Sequence, residues 1–308
     1  MFNFIYCFDQ NYSKQGFTSI LSLLDNVGEE ISIYIISDVP ENKLIIPNII
    51  SDHEKLFKLK IFQNNILDIN FYNIQNSHVT EATFYRLFLE DFLKSDGFAT
   101  YLDCDILCLS DPLPSISKVI SSLEEKSYPV SFNTEIIRGE GFDYFEKLGM
   151  NGDKYFNAGV MIFNVQTWNK MNVKNKALKL IVDLKEKAIF WDQDILNIIF
   201  DENFLELPTE LNSRTREETI DESIIFHHFS GKFKPWSIRG IDQKYSVNFH
   251  NIYQKIYGRE YLIVIQNLPN AFRQLKDQIQ NKRISSDIKG LKILYHIFSS
   301  IIKKIFTR

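Results

Sequence analysis

The strongest constraint on the fold is an alternation, through the first 110 residues, between short apolar runs and segments of helical spacing. FNFIYCF (2–8) is a strand-like run that ends in the polar loop DQNY, after which Phe17, Ile20, Leu21 and Leu24 recur at helical intervals. ISIYIISD (31–38) reads as a β-branched strand and LKIF (59–62) as another. Thr80 suits the N-cap of a helix over 81–93 with Phe84, Leu87, Phe88 and Phe92 as its apolar positions. Asp96-Gly97 ends it and FATYLDCD follows. Strand, helix, strand, strand, helix, strand predicts an α/β fold, a mostly parallel sheet flanked by helices. Ligands of such sheets bind beyond the carboxyl ends of the strands. DQNY and DCD would share that edge.

Further along, 155–165 (YFNAGVMIFNV) reads as a strand and 174–187 as an amphipathic helix. DQDILNIIF (192–200) reads as a short helix whose leading acids complement its dipole, and IIFHHF (224–229) as a strand running into SGKFKPW. With 308 residues, 44% hydrophobic and 24% charged, the chain can bury a real core in one large or two modest domains. MFNFIYCFDQ lacks a basic region ahead of its apolar stretch and reads as a first strand, not a signal peptide. No run of about 18 uncharged apolar residues predicts a membrane-spanning helix. Cys7, Cys104 and Cys108 sit inside strand-like runs, which suits buried thiols of a reduced cytoplasm. A net charge of −4 argues neither for nor against nucleic acid, and no nucleic-acid partner is expected.

The charge is unevenly placed. Residues 282–308 hold seven Lys/Arg against Asp287 alone, a net +6 that leaves −10 for the rest of the chain. Interleaved with them are Leu294, Tyr295, Ile297, Phe298, Ile301, Ile302, Ile305 and Phe306. This pattern predicts a segment lying on an anionic membrane surface; the alternative is a helix packed on the core with a solvated basic face.

Asp103 and Asp105 close an apolar run, where carboxylates are costly unless solvated or offset by a cation. On extended backbone, side chains at i and i+2 point one way, so the pair suits either a solvated turn or a hard divalent ion such as Mg²⁺ or Mn²⁺. His228, Gly231 and Lys234 lie within one strand-end loop and offer a nitrogen ligand, a tight turn and a cation. His227 would point the other way and reads as structural. Two oxygens and a nitrogen favour Mn²⁺ somewhat over Mg²⁺. A metal-dependent phosphoryl or nucleotidyl transferase could use the same aspartates.

LDCD, YFNAGVMIFN (155–164), WDQDILN (191–197) and HFSGKFKPW (228–236) occur in this order and resemble the motifs of family 8 glycosyltransferases. These are retaining enzymes of the GT-A nucleotide-diphospho-sugar transferase fold that include bacterial lipooligosaccharide galactosyltransferases and glycogenin. The resemblance spans residues 2–236 and implies a GT-A catalytic domain over 1–262, with 263–308 as a basic amphipathic, membrane-associating tail. It implies that Asp103, Asp105 and His228 hold Mn²⁺ or Mg²⁺ against the diphosphate of a UDP-sugar. Lys234 and the Gly231 backbone would contact the pyrophosphate, and Asp9, Asn11 and Tyr12 the uracil and ribose. Gln10 stands where relatives often carry an acid. Arg86 would contact the donor, and Asn157, Ala158 and Gly159 the donor sugar and the acceptor-facing loop. Cys104 belongs to the same cofactor-binding stretch, its side chain packing back into the sheet without ligating metal. Asp192 and Gln193 would flank the reacting carbon. An amide is a poor nucleophile, so same-face attack is expected, with Asp192 binding hydroxyls, Gln193 stabilising positive charge and Lys234 offsetting the leaving group.

Taken singly, Asp9 and Asn11 also suit a plain turn, Arg86 a salt bridge and Asp192 an N-cap. The implied activity is transfer of galactose or glucose from UDP-hexose to a glycan or glycolipid in bacterial lipopolysaccharide or surface-polysaccharide synthesis. It would take place in the cytoplasm at the inner face of the membrane. A protein acceptor, self-glucosylation, or a non-catalytic sugar-nucleotide-binding role are the alternatives.

Overall fold

The computed structural model describes residues 1–64, 81–93, 97–135, 141–214, 221–241, 244–261, 263, 268–280, 294–295 and 297–299. The chain runs β1 (Phe2–Cys7), α1 (Ser13–Leu24), β2 (Ile31–Ser37), α2 (Asn48–Ser51) and β3 (Leu56–Gln63). A 3-10 segment, Glu81–Asp91, leads into β4 (Phe98–Leu102) and β5 (Ile106–Cys108). Then come α3 (Leu113–Lys126), β6 (Val130–Thr134), α4 (Gly141–Leu148), β7 (Phe156–Asn164), α5 (Val165–Lys170), α6 (Val173–Leu184) and α7 (Asp192–Ile199). β8 (Leu205–Glu206), β9 (Phe226–His228), α8 (Ser246–Tyr257) and α9 (Leu268–Gln280) complete the order.

Seven of these strands form one sheet in the order β3-β2-β1-β4-β7-β6-β8. The β1–β2, β2–β3, β1–β4 and β6–β8 pairs are parallel, and β7 runs antiparallel to both its neighbours. β1 and β2 are apolar along most of their length because central parallel strands are covered on both faces. β3 is an edge strand and carries Lys58 and Lys60, which discourage pairing with another chain. The core stacks Phe132 on Phe156 at 3.6 Å between centroids and 5° between planes, with Trp168 against Phe163 and Phe200.

Two sequence expectations change. The segment expected as a helix over 81–93 is a 3-10 path broken at Phe88 (φ −113°, ψ 20°). Its residues from Phe84 to Leu89 are all buried; Thr80, the expected cap, lies outside the described residues. The Asp103–Asp105 stretch is not extended: β4 stops at Leu102, and the N–H of Ile106 donates to the carbonyl of Asp103 at 3.1 Å. A turn, not strand alternation, brings the two carboxylates together.

The chain divides into two compact units, residues 1–213 with 223–226, and 214–222 with 227–308. The expected boundary at 262/263 lies inside the second. That unit has its own core of Ile238, Ile241, Ile263, Ala271, Leu275 and Ile297. Most of the basic segment 282–308 lies outside the described residues. Of its residues that are described, Ile297 is buried in this core while Tyr295 and Phe298 are exposed. Among the described residues no helix is long and apolar enough to cross a membrane.

Candidate functional site

Strand direction assembles the site. β1 and β4 are parallel neighbours, so their carboxyl ends emerge together, and the antiparallel β7 brings its amino end to the same edge. The N–H of Asp103 donates to the carbonyl of Gly159 at 2.9 Å, which joins the DCD turn to the Asn157–Gly159 stretch. This is the edge at which sheets of this kind take their ligands.

Arg86 organises the interior of this edge. Its Nε lies 2.7 Å from Asp192 Oδ2, one terminal nitrogen 3.0 Å from Asp103 Oδ1, and the other donates to the carbonyl of Ala158 at 2.6 Å. The single N–H of Nε is directed at the carbonyl of Thr83, and a terminal nitrogen donates to the Thr83 hydroxyl, both at 3.2 Å. The guanidinium carbon lies 4.9 Å from the ring centre of Tyr101, whose hydroxyl donates to Asp103 Oδ1 at 2.7 Å. Burial alone would lower the pKa of Arg86, but Asp103 and Asp192 outweigh it and raise the pKa. Asp192 is buried, its Oδ1 accepting from Thr83 at 2.8 Å. Burial pushes its carboxyl up to about 6 while Arg86 and Thr83 pull it back. It is therefore an anion at neutral pH, its Oδ1 hydrogen-bonded to Thr83 and its Oδ2 paired with the charge of Arg86.

Asp103 and Asp105 present carboxylate oxygens within 4.8 Å of each other. Because Arg86 and Tyr101 converge on Oδ1 of Asp103, its Oδ2 is the oxygen open to a cation. Two hard oxygen donors at this spacing fit a divalent ion such as Mg²⁺ or Mn²⁺. Cys104 turns back toward the sheet, its Sγ 3.5 Å from the carbonyl of Cys7. Burial, with the charges of Asp103 and Asp105, pushes its thiol pKa well up, and a protonated thiol is a poor ligand.

A second polar cluster surrounds Gln193. Its Oε1 accepts from Asn157 Nδ2 at 3.1 Å and from the N–H of Ala158 at 3.2 Å. Asn157 Oδ1 accepts from the N–H of Gly159 and from Asn212 Nδ2, each at 3.0 Å. Asp194, next in sequence, is fully buried and accepts from Tyr144, Tyr155 and the N–H of Phe190 at 2.5–2.7 Å. Burial raises its pKa. It pins the turn in which Trp191 takes a positive φ of 52°, and so fixes the start of α7 that carries Asp192 and Gln193.

At the end of β1, Asp9 caps the 3-10 turn Gln10–Tyr12. Its Oδ1 accepts from the N–H of Tyr12 at 2.9 Å, and Asn11 Nδ2 lies 3.5 Å from Oδ2. Burial first, and then the neighbouring Asp9, raises the pKa of Asp38, which follows β2.

The first unit thus brings together Arg86, Asp103, Asp192 and Ala158, and beside them Asn157, Gly159 and Gln193. His228, Gly231 and Lys234 belong to the second unit. His228 is buried at the end of β9, and His227 packs between the rings of Phe229 and Tyr245, as expected of a structural histidine. Gly231 has φ of 69°, a left-handed conformation that suits glycine. A Cβ on Gly240 would lie 2.1 Å from the carbonyl of Lys234, so only glycine lets the loop carrying Lys234 close. Sequence reasoning missed Thr83, Glu135 and Asn212, which no spacing connects to the motifs, and Asp194, which stands inside WDQDILN but reads there only as a second acid of a helix start; Tyr101, at i−2 from Asp103, carried a weak signal.

Comparison with known proteins identifies the family. The profile "Glycosyl transferase family 8" matches residues 3–239. General stress protein A of Bacillus subtilis is 28% identical, the match covering 75% of this chain and 86% of that protein. A lipopolysaccharide 1,2-glucosyltransferase of Escherichia coli K12 is 25% identical over 97% of this chain and 88% of its own. The crystal structure of galactosyltransferase LgtC with donor and acceptor sugar analogs superposes with a TM-score of 0.67 at 20% identity, covering 83% of this chain and 96% of that one. That likeness bears out the α/β fold with its mostly parallel sheet. From a family match over most of its length, with the DCD turn, the β7 edge and the start of α7 assembled at one end of the sheet, the chain belongs to glycosyltransferase family 8 and is a glycosyltransferase.

Proposed function

We propose that the chain moves a hexose, galactose or glucose, from a UDP-sugar to a glycan or glycolipid acceptor with retention of configuration, in lipopolysaccharide or surface-polysaccharide synthesis. The observation that carries this reading is the DCD turn held against Arg86 at the carboxyl edge of the sheet. Lipopolysaccharide glucosyl- and galactosyltransferases among the relatives support the hexose and the acceptor class. Asp103, Asp105 and His228 would hold Mn²⁺ or Mg²⁺, which when bound supplies electrophilic stabilisation of the departing diphosphate. His228 stands two residues beyond Phe226, and just before that residue the carbonyl of Ile225 accepts from the N–H of Leu109 after β5.

The remaining work falls to side chains. Lys234 and the Gly231 backbone offset the leaving charge. Asp9, Asn11 and Tyr12 receive the nucleoside, and Arg86 with the Asn157–Gly159 edge receives the hexose. Asp192 is 3% exposed and engaged by Arg86 and Thr83, which argues against its acting as a nucleophile and supports same-face attack. In place of the expected hydroxyl binding by Asp192 and charge stabilisation by Gln193, Asp192 would act through Arg86, and Gln193, whose oxygen already accepts two hydrogen bonds, would donate to a sugar oxygen through Nε2. Trapping of a glycosyl adduct on either side chain would overturn this mechanism.

The test is a UDP-sugar panel with Mn²⁺, scored for UDP release and thermal shift. UDP-glucose or UDP-galactose should raise the melting midpoint, and Asp103→Asn or Asp105→Asn should remove the metal-dependent part of that shift. If no UDP-sugar stabilises the protein, the reading fails. For residues 263–308 we propose attachment to an anionic membrane surface, supported by the +6 charge of 282–308 and by exposed Tyr295 and Phe298. Because Ile297 belongs to the second unit's core, the apt perturbation is Phe298→Ser with Lys303→Glu and Lys304→Glu, not truncation. These changes should abolish binding to anionic vesicles and spare UDP-sugar hydrolysis.

A further inference from the structure

Gln193 is held by a relay of amides that reaches residues outside every motif. Asn212 is buried, 1% exposed, and its Nδ2 donates to Asn157 Oδ1, which also accepts from the N–H of Gly159. With its oxygen fixed by two donors, Asn157 must turn its amide nitrogen the other way. There Nδ2 donates to Glu135 Oε2 at 3.2 Å and to Gln193 Oε1 at 3.1 Å. Gln193 Oε1 takes its second hydrogen bond from the N–H of Ala158, and its Nε2 lies 3.5 Å from the same Oε2 of Glu135. A flipped Gln193 would set Nε2 against two donors, Asn157 Nδ2 and the Ala158 N–H, and would turn Oε1 toward a carboxylate. Each of those contacts is repulsive. Glu135 reaches this position because β6 ends at Thr134 beside the amino end of β7: its own N–H donates to the carbonyl of Tyr155 at 2.6 Å.

We propose that Glu135 and Asn212 are positioning residues for Gln193, fixing through Asn157 which end of its amide faces the reacting sugar. The inference rests on the proposed hexosyl transfer in placing Gln193 at the reacting sugar, but the amide orientation itself does not depend on it. Neither residue need touch substrate. Glu135 supplies the acceptor that makes one orientation of Gln193 favourable, and Asn212 supplies the donor that keeps Asn157 from reversing the relay.

The experiment combines kinetics with a readout that needs no turnover. Glu135→Ala and Asn212→Ala should each lower kcat about tenfold, the scale of one lost hydrogen bond to a charged or buried group, with KM for the sugar nucleotide within about twofold. Glu135→Gln, which keeps an acceptor oxygen, should recover most of the loss. In a Gln193→Ala background neither change should lower kcat further, because groups acting through one another are non-additive. In protein labelled with ¹⁵N-glutamine, the side-chain amide protons of Gln193 should exchange about tenfold faster in both alanine variants than in the unmodified protein. Melting midpoints identify any variant that has lost its fold. Should Asn212→Ala unfold, the half-exposed Glu135 carries the test alone. Losses of kcat that simply add to that of Gln193→Ala, or unchanged amide exchange in folded Glu135→Ala, overturn the proposal. An unmodified protein that turns over no UDP-sugar would instead refute the hexosyl-transfer reading, and the exchange measurement would still decide the positioning.

Discussion

Replacing Arg86 by methionine keeps an apolar stem and removes the guanidinium that joins Asp103, Asp192, Thr83 and Ala158. Asp192 is then a buried carboxylate that still accepts from the Thr83 hydroxyl but has lost its counter-charge. Removing one member of a buried ion pair costs about 3–5 kcal/mol, and that is the expected loss at pH 8. The loss should depend on pH. Asp192 already titrates at about 6, with burial raising it and Arg86 lowering it, so the variant's value lies higher. A carboxyl raised in the folded state takes up a proton on folding, and its penalty grows as pH rises toward the folded pKa. The deficit of the variant should therefore shrink by about 1.4 kcal/mol for each pH unit between its own raised pKa and 6. Below 6 it should stop shrinking, since Asp192 is protonated in both proteins. Urea unfolding at pH 8, 7, 6 and 5, followed by tryptophan fluorescence, measures this directly. Adding Asp192→Asn should restore most of the stability at pH 8 and flatten the dependence. A deficit that stays constant from pH 8 to 6, or a double variant no more stable than the single one, refutes the account of Arg86 as the counter-charge of a buried carboxylate.

Other consequences are simpler to read. UDP-sugar turnover should fall on acidification through about pH 6, where a protonated Asp192 releases Arg86, although the same protonation favours the folded state; pH profiles of rate and stability measured together check the opposite signs. Gly240→Ala should reduce the thermal shift caused by UDP, because its Cβ would meet the Lys234 carbonyl at 2.1 Å and force open the loop that carries Lys234. Phe132→Ala should cost about 3–5 kcal/mol in unfolding free energy, since its ring is fully buried and stacked on Phe156.

Much of the first sheet was legible because parallel, doubly covered strands announce themselves. ISIYIIS and FNFIYC are apolar almost without interruption, and both are central strands. Segment 81–93 reads as an unbroken helix because Phe84, Leu87, Phe88 and Phe92 fall at helical spacing, and the kink at Phe88 leaves no mark on that pattern. The short β6 and β8 gave no periodic signal. β6 exists because β7 offers it an edge, and β8 because β6 does, a tertiary cause that no window of sequence contains.

The site divides along the same line. Residues that would meet ligand chemistry directly, such as Asp103, Asp105 and Gln193, stand in motifs whose composition is odd for a core strand or a helix start, and oddness is visible in sequence. Residues that hold those groups are not odd. Thr83 is one hydroxyl in a buried segment, Asp194 looks like a second acid in a helix's first turn, and Asn212 follows a single 3-10 turn. What makes each consequential is the partner reached across 39 to 109 positions: Asp192 for Thr83, Tyr144 and Tyr155 for Asp194, Asn157 for Asn212. Arg86 crosses that divide. From sequence it is a donor-contacting arginine or a surface salt bridge; in the fold it is a buried cation whose guanidinium is claimed by two carboxylates and the Ala158 carbonyl. A substitution that leaves Arg86 intact but removes Thr83 or Asp192 should therefore disturb the same site.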